Sequence, residues 1–150
     1  MTPQPDQGTL PVREALLAAC RGWPPTTDSP ILAAAVELAE LHEIRMNGPD
    51  GEAWQIDRAR LRWVAAIDHL VASSTPAPSP DAPLHTETLG QIIDRMAQLT
   101  ALAFAMLIDG LETAFHAVHT QLNDLAKGYE DLAAEVLAGT RRLPVRDPHR

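Results

Sequence analysis

The last third of the chain repeats apolar residues at alternating steps of four and three, and this repeat restricts the fold more than any other feature. An apolar repeat with this average period places its members along one seam of an α-helix, and a seam of more than three heptads packs against other helices at small crossing angles. The repeat therefore predicts a coiled-coil-like helix inside a bundle, closed by Gly139. Its members are Leu111, Phe115, Val118, Leu122, Leu125, Tyr129, Leu132 and Val136.

Prolines, glycines and capping residues divide the rest of the chain into shorter helical segments. Ser29 followed by Pro30 is typical of a helix start, and Thr86 or Thr88 can cap a later helix. Gly22 and the turn at residues 48–51 end two of the segments. The predicted helices cover residues 10–21, 29–47, 52–73, 88–109 and 111–138.

The lengths of the connections predict how these helices are arranged. Short turns join the second helix to the third and the fourth to the fifth, which is typical of antiparallel hairpins. Residues 74–83 are rich in proline and predict a crossover without structure of its own. The fold class is therefore all-α, a four-helix bundle of two antiparallel hairpins with a short extra N-terminal helix. We expect a flexible tail at residues 1–9, a single helical domain at 10–143 and a basic tail at 144–150.

Charge and composition limit the partners and the compartment. A net charge of −8 repels phosphate backbones and anionic lipids, so neither nucleic acid nor a membrane is an expected partner. The first residues show no signal-peptide pattern, and we expect a cytoplasmic protein. The single cysteine, Cys20, is predicted to be a buried thiol. Lys127 is the only lysine among 12 basic residues, which favours a bacterial source.

One stretch of the fourth predicted helix is apolar on all of its faces. It comprises residues 99–108, from Leu99 to Ile108. Such a helix must be covered on every side. The cover can come from the first helix, from the crossover or from a second subunit, and this stretch predicts self-association, with a homodimer as the simplest case.

Several polar residues fall on faces predicted to be inward. Arg60 lies between Ile56 and Trp63 in the apolar arc of the third helix, where a guanidinium needs a carboxylate partner. It predicts a structural ion-pair network, with Asp57 and Asp68 on the flank, a site for an anionic ligand, or a solvated guanidinium whose stem packs on the apolar arc. His42 follows the apolar stripe of the second helix and is typical of a hydrogen-bonded core histidine.

The fourth helix carries a polar stripe that allows two readings. It is either a solvated face or the lining of a groove between helices. Glu87 and Asp94 are candidates for an acid and a base, but no nucleophile or phosphate loop accompanies them, so an enzyme is disfavoured. The stripe consists of Glu87, Gln91, Asp94 and Gln98.

Metal-ligand spacing occurs once, on the last predicted helix. Glu112, His116 and His119 share one face, but the paired Glu-x-x-His pattern of di-iron bundles is absent. We therefore expect no metal and no other cofactor, and keep a metal-binding bundle as an alternative.

The run from Leu84 to Ala97, with Thr86-Glu87-Thr88 followed by Ile93-Asp94-Arg95, resembles a bacterial family known as domain of unknown function 4254. Arg60 with the Ile67-Asp68 pair, and Leu41-His42-Glu43, are similar to further parts of that family, and the resemblance covers residues 28–143. It implies an all-helical fold and no activity. It also implies a set of candidate ligand-binding or buried polar residues: His42, Arg60, Asp68, Glu87, Asp94 and Arg95.

Together these features predict a non-catalytic protein-interaction or assembly module. We expect it to form a homo-oligomer through residues 99–108 and to bind a protein partner whose identity the sequence leaves open. The alternative is a small anionic ligand or an enzymatic site in the groove between the third and fourth helices, held by Arg60.

Overall fold

The computed structural model describes residues 10–145, so the predicted tail at 1–9 and most of the basic tail at 144–150 lie outside the described residues. Within the described range the chain is all-helical and has no strand, which confirms the all-α part of the predicted fold. A single isolated bridge pairs Leu84 with Arg142. The helices are α1 (Arg13–Cys20), α2 (Pro30–Asn47), a short 3-10 turn (Asp50–Glu52), α3 (Ala53–Ser74), α4 (Leu89–Ile108) and α5 (Glu112–Ala138).

The helix ends lie where local chemistry sets them. Ser29 Oγ accepts a hydrogen bond from the Leu32 N–H at 3.3 Å at the start of α2. Thr88 and Gln91 form a reciprocal capping box at the start of α4, with bonds of 2.9 and 3.1 Å. Gly139 ends α5 in the left-handed region, at φ 74°, where glycine has no steric penalty.

Helix α4 is the centre of the fold, because it packs against each of the other four α-helices. The two predicted hairpin pairs, α2 with α3 and α4 with α5, are also in contact. Helix α1 contacts α2, α4 and α5, so this short helix belongs to the core. The arrangement of the helices as a four-helix bundle of two hairpins stays a prediction.

The buried core is mainly aliphatic, and the heptad seam of α5 forms much of it. Val118, Leu122, Leu132 and Val136 are buried. Tyr129 is also buried, and its hydroxyl donates a hydrogen bond of 2.7 Å to the Pro11 carbonyl, which fixes α5 to the segment before α1. Burial raises the pKa of the Tyr129 hydroxyl.

Two expectations about apolar residues on the helices need correction. Trp63 was expected in the buried arc of α3, but its side chain lies at the surface, as do Trp54 and Leu61. Leu111, the first member of the heptad seam, is also exposed, because it precedes the first turn of α5.

The proline-rich crossover has no helix or strand, but the C-terminal segment holds it in place. The Ser79 N–H donates to the Gly139 carbonyl, and the His85 N–H donates to the Arg142 carbonyl at 2.8 Å. Arg142 also donates from its own N–H to Pro83 and from Nε to the Ala82 carbonyl. The segment from Gly139 to Arg142, which precedes the predicted basic tail, therefore holds the crossover in place, and we call it the C-terminal clasp.

Helix α4 is long and apolar enough, by length and composition, to cross a membrane, with a mean hydropathy of 1.3 in its most apolar window. The core helix of a soluble protein meets the same criterion. Helix α4 contacts each of the other four α-helices and carries Asp94 and Arg95, and 39% of this window is buried.

Gly90 permits the close approach of α3 and α4. A Cβ at this position would lie 2.5 Å from the Val64 carbonyl oxygen and 2.6 Å from Asp68 Oδ1. Both distances are well inside van der Waals contact, so any side chain here must push the helices apart. The close packing of α3 against α4 therefore requires a glycine at position 90.

We predict that Gly90→Ala lowers the free energy of unfolding by about 1–3 kcal/mol, because overpacking outweighs the gain in helix propensity. Urea denaturation measures the change. Gly128→Ala is the matched control: a Cβ at Gly128 meets nothing within 4 Å, so the same substitution should stabilise the protein by about 0.5–1 kcal/mol. Equal changes in unfolding free energy for the two substitutions would contradict the close approach of α3 and α4 at Gly90.

Candidate functional site

A buried polar cluster joins α2, α3 and α4 around Asp94. His42 Nε2 lies 2.8 Å from Asp94 Oδ1, and because a carboxylate only accepts, this nitrogen carries the proton. Arg60 Nε lies 3.4 Å from the same oxygen. The side chains of His42 and Asp94 are 6% and 16% exposed, so the contacts are largely shielded from water.

The cluster extends toward the surface through Asp57. Asp57 Oδ1 lies 3.9 Å from Arg60 Nη1 and 3.6 Å from Arg45 Nε. The guanidinium of Arg60 therefore lies between two carboxylates, Asp94 inside and Asp57 outside. Sequence reasoning missed Arg45, because its pairing with Asp57 depends on how α2 and α3 meet at the hairpin.

Asp68 has a different role from the one expected for it. Its Oδ1 accepts a hydrogen bond of 2.8 Å from the Gly90 N–H in the first turn of α4. The first N–H groups of a helix have no partner within the helix, and a negative charge is favourable there. Asp68 of α3 thus caps the N-terminus of α4, a neighbouring helix. The sequence had suggested that Asp68 pairs with Arg60 on its own helix.

Glu87 and Arg95 form a separate pair near the surface. Arg95 Nη1 lies 3.1 Å from Glu87 Oε1, and the two side chains are substantially exposed. Of the polar stripe on α4, Gln91 is engaged in the capping box and Gln98 is exposed. The stripe is therefore divided among a cap, a buried cluster and a surface pair.

This geometry gives each of the six predicted site residues a partner within the protein. His42, Arg60 and Asp94 are brought together, whereas Asp68 and the Glu87–Arg95 pair stand apart. Because Arg60 is balanced by two carboxylates, the geometry favours the structural ion-pair network. An anion site at Arg60 would have to displace those carboxylates, and its assignment stays a prediction.

The metal alternative gains no support from the described residues. Residues 10–145 hold no group of three His, Cys, Asp or Glu side chains able to bind a metal ion. His116 Nε2 lies 3.9 Å from Glu112 Oε1 on the exposed face of α5. The His119 ring stacks on Phe115, with centroids 5.4 Å apart.

A cleft of about 340 Å³ opens elsewhere, between the end of α1, α2, the C-terminal half of α4 and the start of α5. We call it the aromatic cleft, because Trp23, Phe104 and Phe115 line it. None of the six predicted site residues lines it. Sequence reasoning missed it, although the all-round apolar stretch at residues 99–108 supplies one of its walls.

The thiol of Cys20 forms part of the wall of the aromatic cleft and is buried. Burial raises its pKa from the ordinary value of 9.0 to about 12, and the neighbouring Arg21 offsets only part of the rise. The thiolate is the nucleophilic form, so Cys20 is unreactive near neutral pH.

We predict that substituting Asp94 is costly, since Asp94→Ala leaves His42 and Arg60 without their buried partner. The expected loss of unfolding free energy is about 3 kcal/mol, measured by urea denaturation. Glu87→Ala, which breaks only an exposed pair, should cost less than about 1 kcal/mol. Similar losses for the two variants would show that the cluster is not a buried network.

We also predict slow alkylation of Cys20 by iodoacetamide at pH 8 in the folded protein. A pKa near 12 lowers the thiolate population about a thousandfold relative to the ordinary thiol. Labelling followed by mass spectrometry should be at least a hundredfold slower than in urea. Comparable rates in the two conditions would mean that the thiol is accessible and ionisable.

Comparison with known proteins identifies a family. No curated protein and no solved structure matches the chain. The family model described as protein of unknown function (DUF4254) matches residues 52–145, a range that covers α3, α4, α5 and the C-terminal clasp and begins after His42. This match covers more than half of the chain and confirms the resemblance seen in the sequence. The chain belongs to the DUF4254 family.

Proposed function

We propose that the protein is a non-catalytic interaction module of the bacterial cytoplasm, which self-associates through the exposed end of the 99–108 stretch. Its framework is the predicted bundle of two antiparallel hairpins, supported by the contacts of α2 with α3 and of α4 with α5. The net charge of −8 supports a protein partner over nucleic acid or a membrane surface.

The observation that carries this proposal is a row of large apolar side chains without cover. Phe104, Leu107, Ile108 and Leu111 are between 51 and 68% exposed, and they follow one another across the α4–α5 turn. Contiguous apolar surface of this kind marks interaction sites on soluble proteins. The helices of the described chain cover the first part of the 99–108 stretch and leave this end open.

A second copy is the partner that we propose, because an apolar patch is complementary to itself under two-fold symmetry. In such a dimer the same residues meet across the axis, and burying four large apolar side chains from each copy removes an unfavourable surface from water. The non-catalytic assignment is supported by two ion pairs. Arg60 pairs with Asp94 and Arg95 pairs with Glu87, so the predicted anion-binding, acid and base groups are all engaged within the protein.

Sedimentation velocity of the full chain tests this proposal. We expect the wild-type protein to sediment as a dimer at tens of micromolar. Ile108→Asp, which places a charge in the patch at a position 68% exposed, should weaken association at least tenfold without unfolding the protein. Circular dichroism checks the fold of each variant.

Leu61→Asp is the matched control for this experiment. Leu61 is about half exposed on α3, outside the proposed patch, so its substitution should leave association unchanged. A monomeric wild-type protein would refute self-association. Equal effects of the two substitutions would place the contact elsewhere.

A further inference from the structure

The distribution of aromatic residues in this chain is uneven. There are only 3 Trp, 2 Phe and 1 Tyr, and the buried aromatic among the described residues is Tyr129. Both phenylalanines and Trp23 line the aromatic cleft instead of filling the aliphatic core. Ligand sites are concave and lined mainly by hydrophobic and aromatic side chains, and the aromatic cleft has both properties.

The size of the aromatic cleft suits a small molecule. A volume of about 340 Å³ is within the usual range for ligand sites. Since an apolar cavity of roughly 150 Å³ holds one benzene molecule, this cleft has room for about two aromatic rings and a substituent. A docked helix would instead need a groove with contacts at several successive turns.

The aromatic side chains that line the cleft expose the faces of their rings. Trp23 is 68% and Phe104 is 56% exposed, so both rings remain available for stacking. Phe115 is already stacked with His119 on α5, which fixes the orientation of that pair. Ring faces of this kind favour a flat aromatic molecule by offset or edge-to-face packing.

The polar groups of the cleft indicate the charge of its ligand. Arg21 and Glu43 both line it, and neither forms an ion pair with any residue in the described part of the chain. One cation and one anion balance each other, so a ligand with a single net charge gains no overall attraction. An uncharged or zwitterionic molecule, with both donor and acceptor groups, matches this pair.

We infer that the aromatic cleft binds a small planar aromatic molecule, uncharged or zwitterionic and about two rings in size. The inference goes beyond the proposed self-association and does not depend on it. The cleft shares Phe104 and Leu107 with the apolar patch, so self-association through the patch competes with binding in the cleft. Binding is therefore measured both in the wild-type protein and in Ile108→Asp, which alters the patch and leaves every lining residue unchanged.

The test is a fluorescence titration with N-phenyl-1-naphthylamine, an uncharged aromatic probe that emits in apolar sites. We expect saturable binding of about one probe per chain in both proteins. Ile108→Asp should bind at least as tightly as the wild-type protein, because the proposed dimer covers Phe104 and Leu107. Trp23→Ala and Phe104→Ala should each weaken binding at least fivefold, and both positions are exposed enough for the fold to persist. Trp54→Ala is the matched control: this tryptophan is 61% exposed on α3, does not line the cleft and should not affect binding.

Competition then tests the chemical class of the ligand. We expect 2-naphthol to displace the probe at a concentration at least tenfold lower than 1-decanol, an aliphatic alcohol without a ring face. Equal displacement by the two alcohols would overturn the preference for aromatic ligands. Equal losses in Trp23→Ala and Trp54→Ala, or no saturable binding, would refute the site itself.

Loss of binding in Ile108→Asp alone would also overturn the inference, because it would place the probe at the contact between two copies. A monomeric wild-type protein that binds the probe would instead refute self-association and leave the cleft assignment intact. The two proposals therefore fail in different ways.

Discussion

Helix α4 is apolar around most of its circumference, and the rest of the fold follows from the need to keep that surface away from water. One neighbouring helix can cover only part of such a helix, so α1, α2, α3 and α5 all pack against it. The close approach of α3 depends on Gly90, where no side chain separates the two helices. The cover is incomplete at the C-terminal end of α4, and both proposals concern that end.

Packing an apolar helix so closely brings polar groups into the interior, and each of them needs a partner. Asp94 would be costly to bury alone, but it meets His42 and Arg60, while Asp57 balances the outer side of the guanidinium. Because these contacts connect three helices, they fix the positions of those helices relative to one another more specifically than apolar contacts alone can. The charged residues at this cluster are thus explained by the fold before any ligand is invoked.

The aliphatic and the aromatic residues of this chain are mostly found in different places, the former in the core and the latter in the aromatic cleft or at the surface. Small and branched side chains let five helices pack closely, and Tyr129 joins them with its hydroxyl bonded to Pro11. Large rings are placed where the core ends. Trp23 follows the glycine that terminates α1, and Phe104 and Phe115 lie on either side of the α4–α5 turn. The rings proposed to bind a ligand therefore lie outside the aliphatic core that stabilises the fold.

Helix identity and helix ends were predictable from the sequence, because periodicity, Pro30, Thr88 and Gly139 act on residues within one or two turns. The family was likewise evident from the run around Glu87 and Asp94. The side chains that meet between helices were not predictable. Asp68 was expected beside Arg60 but caps α4, Trp63 was expected inside but lies outside, and four separate segments form the aromatic cleft. His42 and Asp94 are 52 residues apart, and no local period specifies such a pair. Their contact is decided by how closely and at what angle the helices pack.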